Sequence, residues 1–184
     1  AAWGGDGARG ASRTDGIKDY ADHLYESING DLSGLNVCID CANGASAAVA
    51  RQLFPRLGAK CTFIGVEPDG KNINAGVGST HLDNLEKAVV EGGFDCGIAF
   101  DGDADRCLAC DEKGQEIDGD KVIALLAMNM KEKGCLDGNT AVVTVMSNLG
   151  FIKFMESQGI HTEKTAVGDR YVLENMRENG YAIG

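Results

Sequence analysis

The sequence predicts an α/β protein: two consecutive α/β/α units with mostly parallel sheets, the second truncated. Three observations carry that expectation. Short apolar runs alternate with segments whose apolar residues recur every three to four positions, the sequence form of strand following helix. The alternation occurs twice, on either side of a break near Asp118. And a cluster of carboxylates directly follows one apolar run, where open α/β sheets hold their ligands.

Residues 1–13 are rich in Gly, Ala and Ser and read as a linker. Residues 14–117 form the first unit and 118–184 the second. Within 15–28, Ile17, Tyr20, Ala21, Leu24 and Ile28 mark an amphipathic helix. A strand is expected over 35–41, then a helix over 45–57 with Pro55 in its last turn and Gly58 as its cap. A second strand covers 60–66, and 68–79 is a Gly- and Asn-rich loop. Thr80 is positioned to cap a helix over 81–90, which Gly92-Gly93 stops. Strands follow at 95–100, 107–111 and 116–117, with a turn at Glu112-Lys113-Gly114. In the second unit, helices are expected over 119–133, 149–158 and 171–178 and strands over 140–145 and 160–165. Tyr181-Ala182-Ile183 starts one more strand. A sheet left unfinished there presents an unpaired edge, which favours self-association.

Composition excludes some function classes. The chain is 43% hydrophobic and 24% charged, ordinary for a globular protein. A net charge of -11 disfavours nucleic acid, which needs a basic face. No apolar run approaches the ~20 residues of a membrane span. The start, Ala1-Ala2-Trp3-Gly4-Gly5, lacks the basic-then-apolar order of a signal peptide, and its lack of Met points to a fragment or processed chain. A cytoplasmic location follows as an expectation. Two C-x-x-C pairs, Cys38/Cys41 and Cys107/Cys110, raise zinc. Both fall in expected strands, where residues three apart point to opposite faces, so they read as small buried hydrophobes.

The chemistry concentrates in Phe100-Asp101-Gly102-Asp103-Ala104-Asp105-Arg106. Three carboxylates at alternate positions repel one another unless a cation lies between them. Their hard oxygens suit Mg²⁺, Mn²⁺ or Ca²⁺. A calcium-loop register competes, with Leu108 and Glu112 falling at its later positions. Against it, Arg106 stands where that loop needs Gly, and strands rather than helices flank the segment. A plain solvated acidic turn is the bland alternative. Arg106 argues for more, since metal plus guanidinium is the usual equipment for stabilising a transferring phosphoryl group.

These residues resemble the metal-binding loop of the α-D-phosphohexomutase superfamily. Further stretches are most like its phosphoglucosamine mutase branch: Asn72-Ile73-Asn74 with Gly78-Ser79-Thr80-His81, then Val145-Met146-Ser147-Asn148-Leu149-Gly150, then Val167-Gly168-Asp169-Arg170-Tyr171-Val172. Val37-Cys38-Ile39-Asp40-Cys41-Ala42-Asn43-Gly44 also fits, and the resemblance covers 15–184.

The resemblance implies the second and most of the third domain of a four-domain intramolecular phosphotransferase. A phosphoserine in the first domain would donate its phosphate, and the sugar bisphosphate intermediate would reorient and return the other phosphate. The net reaction would interconvert glucosamine 6-phosphate and glucosamine 1-phosphate for cell-wall precursors. By position, Asp101, Asp103 and Asp105 would bind Mg²⁺ and Arg106 would lie against the moving phosphoryl group. The sequence lacks the family's Ser-His-Asn nucleophile loop, and its sugar loop Glu-x-Ser-Gly-His would fall just after Gly184. The chain alone is therefore expected to bind Mg²⁺ weakly and to need the missing mutase domains for activity. A phosphomannomutase or phosphoglucomutase fragment, or a non-catalytic cation-binding module, are the alternative readings.

Smaller expectations attach to other residues. Gly168-Asp169-Arg170 opens a helix and reads as an anion site or as a local ion pair. Ser147-Asn148 reads as a helix cap or as a ligand contact at a strand end. His81 reads as a surface residue near a helix start or as a ligand contact, and Lys71 as a solvated residue or as a phosphate contact.

Overall fold

The computed structural model describes residues 15–184, so the expected linker lies outside the described residues. The chain divides into two units between Glu116 and Ile117. In chain order the elements of the first are α1 (Gly16–Ser27), β1 (Asn36–Asp40), α2 (Ser46–Arg56), β2 (Lys60–Ile64), α3 (Asp83–Gly92), β3 (Cys96–Phe100), β4 (Cys107–Asp111) and β5 (Glu116–Ile117). They build a five-stranded sheet in the order β2-β1-β3-β4-β5. β1 pairs in parallel with both β2 and β3, while β4 returns antiparallel to β3. The helical connections allow the parallel pairs; the short carboxylate loop permits only the antiparallel return.

β1 is the central parallel strand, and its residues feed two cores by simple alternation. Val37, Ile39 and Cys41 pack with Ala50 and Ala59 on one face. Cys38 joins Leu85, Val89, Ala99 and Cys110 on the other. α3 approaches this second face so closely that a Cβ at Gly97 would stand 2.8 Å from Leu85 Cγ and 2.7 Å from Cys110 Sγ. The same alternation separates the C-x-x-C partners. Cys38 and Cys41 lie in different cores and Cys110 is buried, but Cys107 is exposed at the start of β4, so the expectation of four buried thiols fails there. All seven cysteines are free thiols. Burial pushes Cys38 and Cys110 up to about 11, which keeps them protonated and unreactive.

Thr80 does not cap α3. The helix begins at Asp83, with Leu82 in the cap position and no side-chain cap. The backbone before it is already committed: Ser79 N–H donates to Phe100 O and His81 N–H to Gly78 O. Gly93, in the left-handed conformation at φ 63°, ends the helix as the sequence implies.

The second unit holds α4 (Gly119–Glu132), β6 (Thr140–Thr144), α5 (Leu149–Ser157), β7 (His161–Thr165) and α6 (Asp169–Asn179). β6 and β7 pair in parallel. Ala141 and Val143 turn one face of β6 onto Ala124 and Ala127 of α4 and Phe151, Ile152 and Met155 of α5. The strand expected at Tyr181-Ala182-Ile183 does not form. Ile183 accepts one backbone hydrogen bond from Val142 N–H, and its side chain enters the core, but one bond is not a ladder. No described helix is long and apolar enough to cross a membrane.

Candidate metal centre

Because β1, β2 and β3 run in parallel, the loops that follow them leave the same end of the first unit's sheet. Backbone hydrogen bonds then tie these loops together. Asn43 N–H donates to Gly65 O at 2.6 Å, Asn74 N–H to Ala42 O at 2.9 Å, and Ala45 N–H to Gly102 O at 2.9 Å. Asn43 adds its side chain, donating to Asn72 O at 3.3 Å and accepting from Glu67 N–H at 3.0 Å. Four non-glycine residues in these loops, Ala42, Asn43, Asn74 and Ala104, have left-handed φ between 51° and 63°. Each such residue costs about 1–3 kcal/mol, and such strain concentrates at functional sites.

The carboxylate loop turns on itself between β3 and β4. Ala104 N–H donates to Asp101 O and Asp101 N–H to Arg106 O. Asp101 is buried, while Asp103, Asp105 and Arg106 are exposed. The carboxylate Oδ1 of Asp101 accepts Arg106 N–H at 3.0 Å, and its Oδ2 accepts Arg106 Nε–H at 2.8 Å. The Arg106 guanidinium also stands 3.7 Å from Asp105. One oxygen from each of Asp101, Asp103 and Asp105 lies within 4.8 Å of the others. Three hard oxygens at that spacing fit a small dication that keeps water or phosphate in its remaining positions.

The loop's electrostatics point the same way. Burial pushes the Asp101 carboxyl upward, but the Arg106 backbone N–H and guanidinium overcome it and hold it at about 2. Asp105 is pushed up by its hydrogen bond with Asp101 and by the charges of Asp101 and Asp103. One carboxylate is thus stabilised by Arg106, while another feels repulsion that a cation would relieve. The Asp101 contacts contribute stability that is complete above its ordinary value of 3.8 and lost as pH falls through about 2. Carboxyl-carbon NMR of the metal-free chain is expected to place the Asp101 inflection at the low value, and Arg106→Ala to move it upward. An Asp101 inflection at the ordinary value in the wild type would contradict the arrangement.

Asp40, at the end of β1, was not singled out by sequence, yet its fully buried carboxylate joins two of these loops. Its Oδ1 accepts Ala42 N–H at 2.9 Å and its Oδ2 accepts Gly78 N–H at 2.7 Å. The available signal was an aspartate inside the otherwise apolar Val37–Ala42 run, since buried acids are rare without partners.

The remaining sequence candidates belong to the second unit. Asn148 caps α5, accepting Gly150 N–H at 2.7 Å, and its own N–H donates to Asp120 at 2.8 Å. Ser147, Gly168 and Asp169 line one hollow beside Val142, Val172 and Met176. Arg170 is exposed and does not pair with Asp169. Its guanidinium bonds Glu174 at 2.8 Å, one helical turn on, and Asp169 accepts Arg170 N–H instead. Side chains four apart on a helix are neighbours, whereas adjacent ones diverge. His81 and Lys71 are exposed.

Comparison with known proteins accounts for both units. Two solved structures share the fold: a phosphoglucomutase/phosphomannomutase family protein from Burkholderia thailandensis (TM-score 0.74, 23% identity, 90% of this chain and 36% of that one) and an apo-form N-acetylglucosamine-phosphate mutase (TM-score 0.64, 20% identity, 89% and 39%). The chain is 54% identical over 168 residues to a phosphoglucosamine mutase of Acetivibrio thermocellus and 53% over 176 residues to one of Streptomyces avermitilis. It spans 91% and 96% of its own length in these alignments, but 37% and 39% of those relatives' lengths. Residues 18–114 match the model of phosphoglucomutase/phosphomannomutase α/β/α domain II, and residues 118–184 that of domain III. The carboxylate loop therefore lies in the domain II match, and the chain belongs to the phosphoglucomutase/phosphomannomutase family.

Proposed function

We propose that these residues form the metal-bearing central part of a phosphosugar mutase that interconverts glucosamine 6-phosphate and glucosamine 1-phosphate in the cytoplasm. The observation that carries this reading is the convergence of Asp101, Asp103 and Asp105 beside Arg106 at one strand end. The phosphoglucosamine mutases at more than 50% identity supply the choice of sugar.

In this reading the three aspartates hold Mg²⁺, which supplies charge neutralisation for a phosphoryl group in transit. Asp101 does two further things. It fixes the plane of the Arg106 guanidinium through Nε, and it leaves the outer nitrogens free to meet a phosphate oxygen. The phosphoryl group travels between a serine and the sugar through a sugar bisphosphate, and that serine comes from a mutase domain outside these residues. Ser147, Gly168 and Asp169, sharing one hollow, are the proposed sugar-phosphate contacts of the second unit, with the exposed Arg170 next in sequence and Asn148 supporting the start of α5.

The test is a chimera in which residues 15–184 replace the corresponding segment of a related full-length phosphoglucosamine mutase. The chimera is expected to turn over glucosamine 6-phosphate with Mg²⁺, and the 184-residue chain alone to show none. A folded chimera that fails to turn over glucosamine 6-phosphate would overturn the mutase reading of these residues. Turnover by the isolated chain would overturn the need for the other domains.

A further inference from the structure

A fully buried carboxylate is costly unless its oxygens are bonded, and Asp40 is not one of the three residues at the candidate cation site. The two amides that satisfy it come from two different loops. Each loop grips the backbone on one side of Asp101. From Gly78, the next residue, Ser79, donates its N–H to Phe100 O at 2.9 Å. From Ala42, the chain runs to Ala45, whose N–H donates to Gly102 O at 2.9 Å. Ala42 O also accepts Asn74 N–H, and Ile73 and Asn74 press against Gly102, where a Cβ would stand 2.6 Å and 2.9 Å from them. The carbonyls before and after Asp101 are thus both fixed by loops that converge on Asp40.

We propose that Asp40 is a positioning residue for the cation site: its carboxylate clamps the two loops that set the place of Asp101. The inference rests on reading Asp101, Asp103 and Asp105 as a cation site. An ionised acceptor makes stronger bonds to amides than a neutral one, which gives an acid at this position a reason beyond packing. The room for it is tight. A Cβ at Gly65 would stand 2.4 Å from Asp40 Oδ1, and Gly65 holds a left-handed φ of 59°.

Asp40→Asn is the direct test. It keeps the shape but sets an amide NH₂ against a backbone N–H, so one clamp bond is lost. Mn²⁺ affinity, read by electron paramagnetic resonance, is expected to fall by up to about tenfold, the lower end of the cost of losing a group bonded directly to a metal ligand, because Asp40 acts through the loops. Gly65→Ala crowds the same carboxylate while leaving it charged, and is expected to weaken Mn²⁺ in the same direction. Ile39→Val, on the other face of β1, loosens the core without touching the clamp and is expected to keep wild-type affinity. In the metal-free chain, amide exchange at Ser79 and Ala45 is expected to quicken in Asp40→Asn more than at Val37 and Ile39. Wild-type Mn²⁺ affinity in both Asp40→Asn and Gly65→Ala, or an equal loss in Ile39→Val, overturns the proposal. If Asp40→Asn does not fold, Gly65→Ala decides. If the wild type binds no Mn²⁺, the cation-site reading falls by itself. The metal-free exchange then settles the clamp, and unchanged Ser79 and Ala45 overturn it.

Discussion

Asp103→Ala is expected to weaken Mg²⁺ and Mn²⁺ binding by at least ~100-fold, since loss of outer partners alone costs ~10–100-fold. The unfolding midpoint is expected to hold or rise slightly. Asp103 is exposed, and its charge raises the Asp105 carboxyl, so its removal relieves repulsion in the metal-free loop. Asp101→Ala behaves differently, because Asp101 is buried and accepts both the backbone and the side-chain N–H of Arg106. It is expected to lose metal binding and stability together. Isothermal titration and thermal unfolding of the two variants separate ligation from folding. The choice of ion adds a second readout. Three protein oxygens suit Mg²⁺, which keeps several waters, better than Ca²⁺, which wants six to eight oxygens. A strong Ca²⁺ preference, or unaltered binding in Asp103→Ala, would remove the basis for the phosphoryl-transfer reading.

The carboxylate loop and the strands around it were legible because their signals are local. The apolar run ending at Phe100 and the alternate aspartates after it need no knowledge of the rest of the chain. The separation of Cys38 from Cys41 was legible for the same reason, since strand alternation alone sends them to different cores. The start of α3 was not. Thr80 has a good capping side chain, but the amide of its neighbour Ser79 is bonded to Phe100 O, a residue 21 positions away. Tertiary pairing there overrides local preference, and propensity cannot see it. The strand expected near Ile183 failed similarly: strand-like residues need a continued ladder, but here only Ile183 O bonds β6, while Tyr181 N–H bonds Met176 O at the end of α6. Asp40 is the sharper case. Its role depends on Gly78, 38 residues on, and only the folded loops bring the two together.

Gly44→Ala is expected to damage both the fold and the site, and it tests how far the metal loop depends on its neighbours. Gly44 follows two left-handed residues, Ala42 and Asn43, and its own φ is not positive. Its requirement is therefore space. A Cβ there would stand 2.3 Å from Gly102 O, 2.7 Å from its Cα and 2.8 Å from its carbonyl carbon. All three are backbone atoms, so no side chain can swing aside. Either Gly102 moves or the Ala45 N–H to Gly102 O bond breaks. Overpacking of this kind costs about 1–3 kcal/mol. Because Gly102 joins Asp101 to Asp103, the same shift displaces the ligand oxygens, and Mn²⁺ affinity is expected to fall with stability. Gly76→Ala is the matched control. Gly76 also lies in these loops, with φ 67°, but nothing stands within 4 Å of its missing Cβ. That substitution is expected to cost ~1–2 kcal/mol of backbone strain and to leave metal binding intact. Denaturant midpoints and Mn²⁺ titration of the pair decide the matter. Equal metal affinity in both variants would mean that the aspartates hold their cation without the packing of Gly44 on Gly102.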